Sequence, residues 1–282
     1  MNGPAINANV ACGLTFETVP GTSLALQVAV APSAGTVLSE QLDLTLNGRP
    51  LAPAAEFLGA GGGRVHIVDA DAGTLRVSYQ ATVAPTVPAL LAPPARGAEI
   101  VVDAATLLAL HQSAYCRSDL LAGFAAAELG RYRGEPDLPE RVASWVFERV
   151  AYELGSSGPL DSSVETLLTN TGVCRDFAHL TITLLRALGV PARLVAVYAP
   201  GLSPMDFHAV VEAYTPAGWH VIDATRLAPR GSLVRITTGR DAADTAFTTT
   251  LRGNAELLVQ SVFAATDGSL PADDHVTAAS LA

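Results

Sequence analysis

The chain of 282 residues is acidic: 27 Asp and Glu residues outnumber 17 cationic residues, all of them arginine, and the net charge is −10 at pH 7. Binding to phosphate groups needs clustered Lys and Arg side chains, so this charge argues against a nucleic acid or an anionic membrane as partner. The hydrophobic content of 49% predicts a globular protein with one large core or two modest ones.

The first residues and the cysteines favour a cytoplasmic location. The stretch MNGPAINANVACGLTFETV has neither a basic segment nor a continuous apolar one, so no signal peptide is predicted. The longest apolar runs are interrupted well before the roughly 20 residues that span a bilayer. Cys12, Cys116 and Cys174 are odd in number and widely spaced, which favours free thiols over a disulfide framework or a metal knuckle. No metal or other cofactor is expected.

Short alternating segments between residues 11 and 83 predict a small antiparallel β domain. Examples are LALQVAVA, LDLTLNG and TLRVSYQATV, and turn-forming clusters such as NGRP and GAGGG separate the segments. A proline-dense stretch follows at residues 84–99 and suits neither a helix nor a central strand. Its prolines are Pro85, Pro88, Pro93 and Pro94. We therefore expect a β-rich, sandwich-like domain with its linker at residues 1–98.

Helical periodicity appears after this linker. The segment LPERVASWVFERVAYEL, which starts at residue 138, has apolar side chains at helical spacing and Pro139 in its first turn, so a helix of about four turns is predicted. A second helix is predicted from Cys174 to Leu188, because Gly189 and Pro191 are typical of residues just beyond a helix end. Cys174 then falls in the first turn, where free N–H groups favour a thiolate.

Three β-like segments follow the second helix. They are VPARLVAVY, DFHAVVEAY and GWHVIDA, and the turn from Thr215 to Gly218 joins the last two as a hairpin. Helices followed by antiparallel strands indicate one α+β domain, which we place at residues 99–265. Residues 266–282 have the composition of a poorly packed tail.

The hairpin brings a possible base and its carboxylate together. Nucleophilic catalysis by Cys174 needs a base within hydrogen-bond reach and a third group that orients the base. If Tyr214 pairs with Trp219 across the turn, Asp223 becomes the diagonal same-face neighbour of His208, with backbones roughly 7 to 8 Å apart. Two side chains can close that distance. The spacing therefore predicts a Cys174, His208 and Asp223 site.

Other assignments stay open at this point. A cysteine at a helix start is often only a packing residue, and a metal site built from Cys174, His179 and His208 is conceivable although no pair has a favoured ligand spacing. His179 lies about 140° round the helix from the thiol, and His220 projects from the opposite face of the hairpin. Asp176 either assists the site or only compensates the helix dipole.

Four motifs in order resemble the transglutaminase-like superfamily, in the bacterial group described as transglutaminase-like cysteine proteases. They are GVCRDFAHL, DFHAVVEAY, GWHVIDATR and TGRDAAD, and the resemblance covers roughly residues 140–245. It implies a papain-like α+β core, with the nucleophile helix packed on an antiparallel sheet, preceded by an all-β domain. It also implies that Cys174, His208 and Asp223 are the catalytic residues.

The expected function is thiol-dependent acyl transfer through a thioester on Cys174. The substrate is expected to be a peptide or protein, and hydrolysis is favoured over transfer to an amine. Two alternatives remain: a transamidase, and a weakly active protein that binds a substrate or a partner, the partner through the N-terminal β domain. The backbone N–H of Cys174 can supply one oxyanion donor. The glutamine that papain-like enzymes have before the cysteine is absent from residues 168–171, so the second donor is unassigned.

Overall fold

The computed structural model describes residues 7–85, 91 and 100–281. Most of the proline-dense stretch, and with it the predicted boundary near residue 98, lies outside the described residues. Within the part that the structure describes, no helix is both long and apolar enough to cross a membrane.

The described residues from 7 to 85 form seven strands, and helices dominate the segment after the proline-dense stretch. The strands are β1 (Ala8–Thr18), β2 (Thr22–Leu26), β3 (Gly35–Leu46), β4 (Arg49–Leu51), β5 (Ala55–Leu58), β6 (Arg64–Ala70) and β7 (Gly73–Pro85). The following segment comprises α1 (Ala104–Leu108), α2 (Ser118–Leu129), α3 (Leu138–Arg149), β8 (Ala151–Tyr152), α4 (Ser163–Thr169), β9 (Thr171–Gly172) and α5 (Cys174–Ala187). Next come β10 (Ala192–Tyr198), β11 (Phe207–Thr215), β12 (Gly218–Ile222), β13 (Val234–Gly239), α6 (Ala242–Thr245), β14 (Thr248–Arg252) and β15 (Ala255–Thr266).

The N-terminal part is a sandwich of two antiparallel sheets, as predicted. One sheet has the order β15-β1-β7-β3-β4 and the other β14-β2-β6-β5. Along β1 every second side chain is buried, because side chains alternate between the two faces of a strand. Leu14 of β1, Leu24 of β2, Val68 of β6 and Val77 of β7 meet in one apolar core between the sheets.

The predicted boundary at residue 265 differs from the structure. β15 pairs with β1 over its whole length, from Ala8 opposite Thr266 to Thr18 opposite Ala255, and β14 pairs with β2. Residues 248–266 therefore complete the sheets of the N-terminal domain instead of extending the α+β domain. Alternating patterns identify strands, but they do not say which sheet a strand joins.

A helical layer packs on a second antiparallel sheet, which has the order β12-β11-β10-β13 and is called the central sheet below. Leu121 of α2, Val146 of α3 and Leu184 of α5 share one apolar cluster with Val211 and Ala213 of β11. The expected α+β core, with the cysteine helix packed on an antiparallel sheet, is confirmed. The helix α3 ends at Arg149, one turn earlier than predicted, because the chain then enters β8.

The sandwich also packs directly on the central sheet. Tyr198 of β10 and Val234 of β13 lie in the apolar core of the sandwich. The Tyr198 hydroxyl donates to the carbonyl oxygen of Val28 at 2.8 Å. The backbone N–H of Thr238 in β13 donates to the Gly61 carbonyl, in the loop between β5 and β6. The two parts of the chain thus share a core and a hydrogen-bonded contact.

The C-terminal segment is packed, which corrects the expectation of a loose tail. Ala279 and Leu281 are buried, and the N–H of Val221 in β12 donates to the Ala279 carbonyl at 2.8 Å. The buried Arg230 forms an ion pair with Asp273 at 2.7 Å. These anchors are long-range, so the polar composition of residues 266–282 did not reveal them.

Candidate active site

Cys174 is the first residue of α5 and is partly exposed. The chain reaches it through β9 and a tight entry at Gly172, where an added Cβ would lie only 2.6 Å from the Cβ of Asp176. The buried Asp176 carboxylate accepts a hydrogen bond from the Val173 N–H at 2.8 Å. The close approach and this bond together fix where the helix starts, and so where the thiol lies.

The hairpin has the register that the sequence predicts. Tyr214 lies opposite Trp219, and His208 and Asp223 lie near the other end of the two strands. His208 Nε2 is 2.9 Å from Asp223 Oδ2, and both side chains are buried. The structure therefore brings the two predicted side chains into hydrogen-bond contact.

Cys174 lies close enough to His208 to act on the pKa of the imidazole. Burial by itself lowers the pKa of the imidazole, but the Asp223 carboxylate and the Cys174 thiol outweigh burial and raise this pKa to about 10. Burial raises the pKa of Asp223, yet the contacts with His208 and Thr225 bring it below its usual range. Asp223 occupies Nε2, and the buried Nδ1 has no hydrogen-bond partner among the described residues.

Thr225 holds the second oxygen of the carboxylate and was not identified from the sequence. Asp223 Oδ1 accepts hydrogen bonds from the Thr225 N–H at 2.8 Å and from the Thr225 hydroxyl at 2.7 Å. This is an Asx turn, in which a carboxylate bonds the backbone two residues on. The Asp-x-Thr spacing is the feature of the sequence from which this role of Thr225 could have been predicted.

His179 and His220 serve the fold. His179 Nε2 accepts a hydrogen bond from the Ala242 N–H at 3.1 Å, its ring stacks on Tyr115, and burial lowers its pKa to about 4. His220 lies on the opposite face of β12 from Asp223, with Nδ1 3.2 Å from Glu140 Oε1. Both positions agree with the predicted exclusion of these residues from the site.

Asp176 has a structural position. Besides the Val173 N–H, its Oδ2 accepts a hydrogen bond from the Ser157 hydroxyl at 2.6 Å, and Arg175 contacts its Oδ1. The side chain therefore ties the loop after β8 to the start of α5. Of the two roles considered for Asp176, assistance to the site and a local role at the start of the helix, these contacts correspond to the local one.

Tyr152 is a further neighbour of Cys174 that the sequence did not identify. It lies in β8, opposite Gly172 of β9, and its ring packs on Phe177 with centroids 5.9 Å apart. The predicted helix ran through this residue. The parallel pairing of two-residue strands leaves no periodicity in a sequence, so this neighbour is visible only in the fold.

The three thiols differ in their surroundings. Cys12 and Cys116 are buried, and burial raises their pKa to about 11 and about 12. Cys174 alone among the cysteines is partly exposed. Within the described residues, no group of three or more His, Cys, Asp or Glu side chains has an arrangement that could hold a metal ion.

Comparisons with known proteins identify the family of this domain. A family model described as the transglutaminase-like superfamily matches residues 125–224, the segment that contains Cys174, His208 and Asp223. An uncharacterized protein of Mycobacterium leprae (strain TN) is 30% identical over 116 residues, which is 37% of this chain and 40% of that protein. The chain thus matches about two fifths of the length of that relative.

A solved structure covers almost the whole chain. It is described as a candidate cysteine protease from Cytophaga hutchinsonii, shares 32% sequence identity, and matches 99% of this chain and 98% of its own with a TM-score of 0.86. The N-terminal sandwich and the α+β core thus occur together in that protein as well. The chain belongs to the transglutaminase-like superfamily.

Proposed function

We propose that the protein is a cysteine peptidase or amidase that works through a thioester on Cys174. One observation carries the proposal: a buried His208 and Asp223 pair, 2.9 Å apart, lies within electrostatic reach of the one partly exposed thiol, at the start of a helix. A nucleophile, a base and an orienting carboxylate in this order are the groups that covalent acyl transfer needs.

The chemistry then follows from the positions of the three groups. The Cys174 thiol gives its proton to His208, which makes a thiolate and an imidazolium; the sulfur then bonds to the carbonyl carbon, and the C=O π electron pair moves onto oxygen. When that pair returns, the C–N bond breaks, the amine leaves with a proton from His208, and a thioester remains. Water loses a proton to His208 and attacks the thioester, the C–S bond breaks to release the acid, and His208 returns the proton to sulfur. Asp223 stabilises the imidazolium during both halves.

The raised pKa of His208 supports its part in this scheme. The imidazole keeps a proton through neutral pH, because the Asp223 carboxylate and the Cys174 thiol favour its charged form over the effect of burial. A proton that resides on the ring before substrate binds is ready for the leaving amine. The buried carboxylate accepts bonds on both oxygens, which keeps it in place as the ring changes charge.

We favour water over an amine as the second nucleophile. A transamidase needs an acidic group that presents an amine to the thioester. Glu212, on the His208 face of β11, is buried and bridges Arg193 at 2.7 Å and Arg235 at 2.6 Å, so its charge is already neutralised. Asp206 accepts hydrogen bonds from Gln260 and from the Phe207 N–H. Glu212 is therefore not free to hold an amine, whereas Asp206 accepts both of its bonds on Oδ1.

A peptide-library digest with a mass-spectrometric readout tests the enzymatic proposal. The wild-type protein is expected to give products with new carboxyl groups, and Cys174→Ser is expected to give none. A wild-type protein whose Cys174 is readily alkylated, but which forms no product with any peptide, would favour the binding-protein alternative.

The same digest with a fluorescent primary amine decides between hydrolysis and transfer. The chain contains no lysine and so offers no ε-amine that would compete with the probe. Hydrolysed product is expected to exceed labelled product, and a labelled fraction above half would overturn the preference for water. A cytoplasmic location and a protein partner for the N-terminal sandwich remain part of the proposal.

A further inference from the structure

Residues 273–281, called the cover segment below, lie on one face of the central sheet. His208 and Val210 share this face of β11, because side chains alternate along a strand. Val221 of the neighbouring β12 is on the same face, and Leu281 of the cover segment belongs to one apolar cluster with both valines. The segment therefore packs on the face that carries the proposed base.

Main-chain groups of the cover segment are bonded to two strands of the central sheet. The N–H of Val221, two residues before Asp223, donates to the Ala279 carbonyl at 2.8 Å. The Arg235 guanidinium in β13 donates to the Leu281 carbonyl at 3.0 Å. Because β12 is an edge strand of the central sheet, the first of these bonds extends the sheet just before the strand reaches Asp223.

Arg230 holds the other end of the segment. Its side chain is only 3% exposed, and its Nε and Nη2 donate to the Asp273 carboxylate at 3.0 and 2.7 Å. Nη2 also donates to the Thr277 carbonyl at 3.0 Å, and Nη1 donates to the Val221 carbonyl at 3.2 Å. A guanidinium that binds a carboxylate through two nitrogens has a fixed orientation. One buried side chain thus ties the segment to the strand that leads to Asp223.

The turn between Asp273 and Thr277 lies near the catalytic pair. It brings His275 within electrostatic reach of Asp223. The φ angle of His275 is 56°, in the left-handed region, and its N–H donates to Asp273 Oδ1 at 2.9 Å. Such a conformation persists at a residue other than glycine only where the surroundings enforce it. The Asp273 carboxylate therefore fixes this turn as well as Arg230.

A dry environment strengthens the attraction within the pair. The side chains of His208 and Asp223 are 0% and 1% exposed, and a charge interaction weakens as the dielectric constant rises. Burial alone favours the neutral imidazole, so the contact at 2.9 Å has to outweigh it. Other titratable groups in electrostatic contact with the pair include Cys174 of α5, Tyr152 of β8 and His275 of the cover segment.

We propose that Arg230 and Asp273 are positioning residues that hold the cover segment over the His208 and Asp223 pair. The segment excludes water from this face and fixes the end of β12, so the carboxylate stays within hydrogen-bond distance of the imidazole. Arg230 and Asp273 themselves touch no substrate and exchange no proton. The inference rests on the proposed acyl-transfer function, because it concerns how the base of that reaction keeps its charge.

Asp273→Asn tests the inference, because it removes the charge that holds Arg230 and keeps the shape of the side chain. The readout is the titration of His208, followed by NMR with isotope-labelled histidine and assigned from a His208→Gln sample. The pKa of His208, about 10 in the wild type, is expected to fall toward 6.5 as water enters. A fall of about one pH unit or more is expected, which is about a tenfold weaker hold on the proton. With a substrate from the peptide digest, kcat is expected to fall about tenfold or more.

Asp274→Asn is the matched control. Asp274 also lies near Arg230, at 3.6 Å, but its side chain is 58% exposed, and an amide oxygen can still accept the bonds from the N–H groups of Val276 and Thr277. Neither the titration nor kcat is expected to change. Leu281→Ala loosens the other end of the segment and leaves Arg230 intact. It is expected to shift the His208 titration in the same direction as Asp273→Asn, and it decides the question if Asp273→Asn does not fold.

The other outcomes overturn the proposal or the function on which it rests. A less stable Asp273→Asn protein with an unchanged His208 titration would make Arg230 and Asp273 structural residues only. An equal shift in Asp274→Asn would show a general effect of surface charge. A shifted titration with unchanged kcat would contradict a positioning role. A wild-type protein that forms no product with any peptide would contradict the proposed function, and the titration would still decide whether the segment holds the pair.

Discussion

At the scale of single residues, Asp223 is held from two sides. Its Oδ2 faces His208 and its Oδ1 accepts two hydrogen bonds from Thr225, so a buried charge is fully partnered. A buried carboxylate without such partners would instead be protonated or excluded from the core. The pairing is what permits an ionised acid to support the imidazole inside the protein.

Asp223→Asn is expected to keep the fold and to lower turnover strongly. An amide of the same shape gives no charge to stabilise the imidazolium and can favour the wrong tautomer; in a serine protease this exchange lowers turnover about 10,000-fold. The measurement is kcat on a substrate identified by the peptide digest, with circular dichroism as the control for folding. A fall of less than about tenfold would make Asp223 an ordinary strand residue.

The same pair predicts how stability changes with pH. The pKa of His208 is raised from 6.5 to about 10 in the folded protein, so the group stabilises the fold fully below pH 6.5. This contribution is lost as the pH rises toward 10, because only the folded state still binds the proton. Urea unfolding at a series of pH values should therefore show stability falling over this range. The fall should be smaller in Asp223→Asn, and an identical fall in both proteins would contradict the assignment.

Cys174 is expected to be the most reactive of the three thiols. Burial raises the pKa of Cys12 and Cys116, which keeps both as thiols and away from reagents, whereas Cys174 is partly exposed at a helix start. Brief treatment of the native protein with iodoacetamide, followed by peptide mapping, measures this order. Modification of Cys12 or Cys116 before Cys174 would remove the candidate nucleophile.

At the scale of elements, the start of α5 depends on its close contact with β9. Gly172 is the last residue of β9 and leaves no room for a side chain beside Asp176. The helix that the sequence predicts begins where expected, at Cys174. Its entry is shaped by β8, which was predicted as the end of a helix, and by Asp176, whose carboxylate closes the first turn.

Gly172→Ala is expected to displace the start of α5. The added Cβ would lie 2.6 Å from the Cβ of Asp176, and relief of such a clash costs about 1 to 3 kcal/mol of stability. Because Cys174 moves with the helix, alkylation and turnover should also fall. Gly123→Ala is the control, since nothing lies within 4 Å of its added Cβ. Unfolding in urea and the alkylation rate measure the two effects, and a Gly172→Ala protein like wild type in both would contradict this account.

At the scale of the whole molecule, strands from the C-terminal part of the chain complete the N-terminal sandwich. β14 and β15 return from the α+β core to complete both sheets of the sandwich, and Tyr198 of the central sheet lies in the core of the sandwich. The loop at Gly61 and Gly63 lies against β13 so closely that side chains would clash with it. The two parts are therefore expected to unfold together.

Gly61→Ala is expected to weaken this contact. The added Cβ would clash with the carbonyl oxygen of Thr238, so the loop must move and lose its hydrogen bonds to Thr238. A loss of about 2 kcal/mol in the free energy of unfolding is expected from such overpacking. Urea unfolding followed by two probes, one in each part, measures both stability and coupling. Unchanged stability would show that the loop does not dock on β13 in solution.

The sequence by itself determined what depends on local periodicity and on counting along a hairpin. It predicted the β-rich N-terminal part, the helix at Cys174, and the pairing of Tyr214 with Trp219 that brings His208 to Asp223. These features follow from period and register, because neighbours in one helix or hairpin are neighbours in the chain.

Only the tertiary structure decided the contacts between residues far apart in the chain. It assigned β14 and β15 to the sandwich, packed the C-terminal segment through Arg230, and placed Tyr152 beside Cys174. Edge pairing, long-range ion pairs and two-residue strands leave no periodic pattern in a sequence. They are selected by the free energy of the whole packed chain.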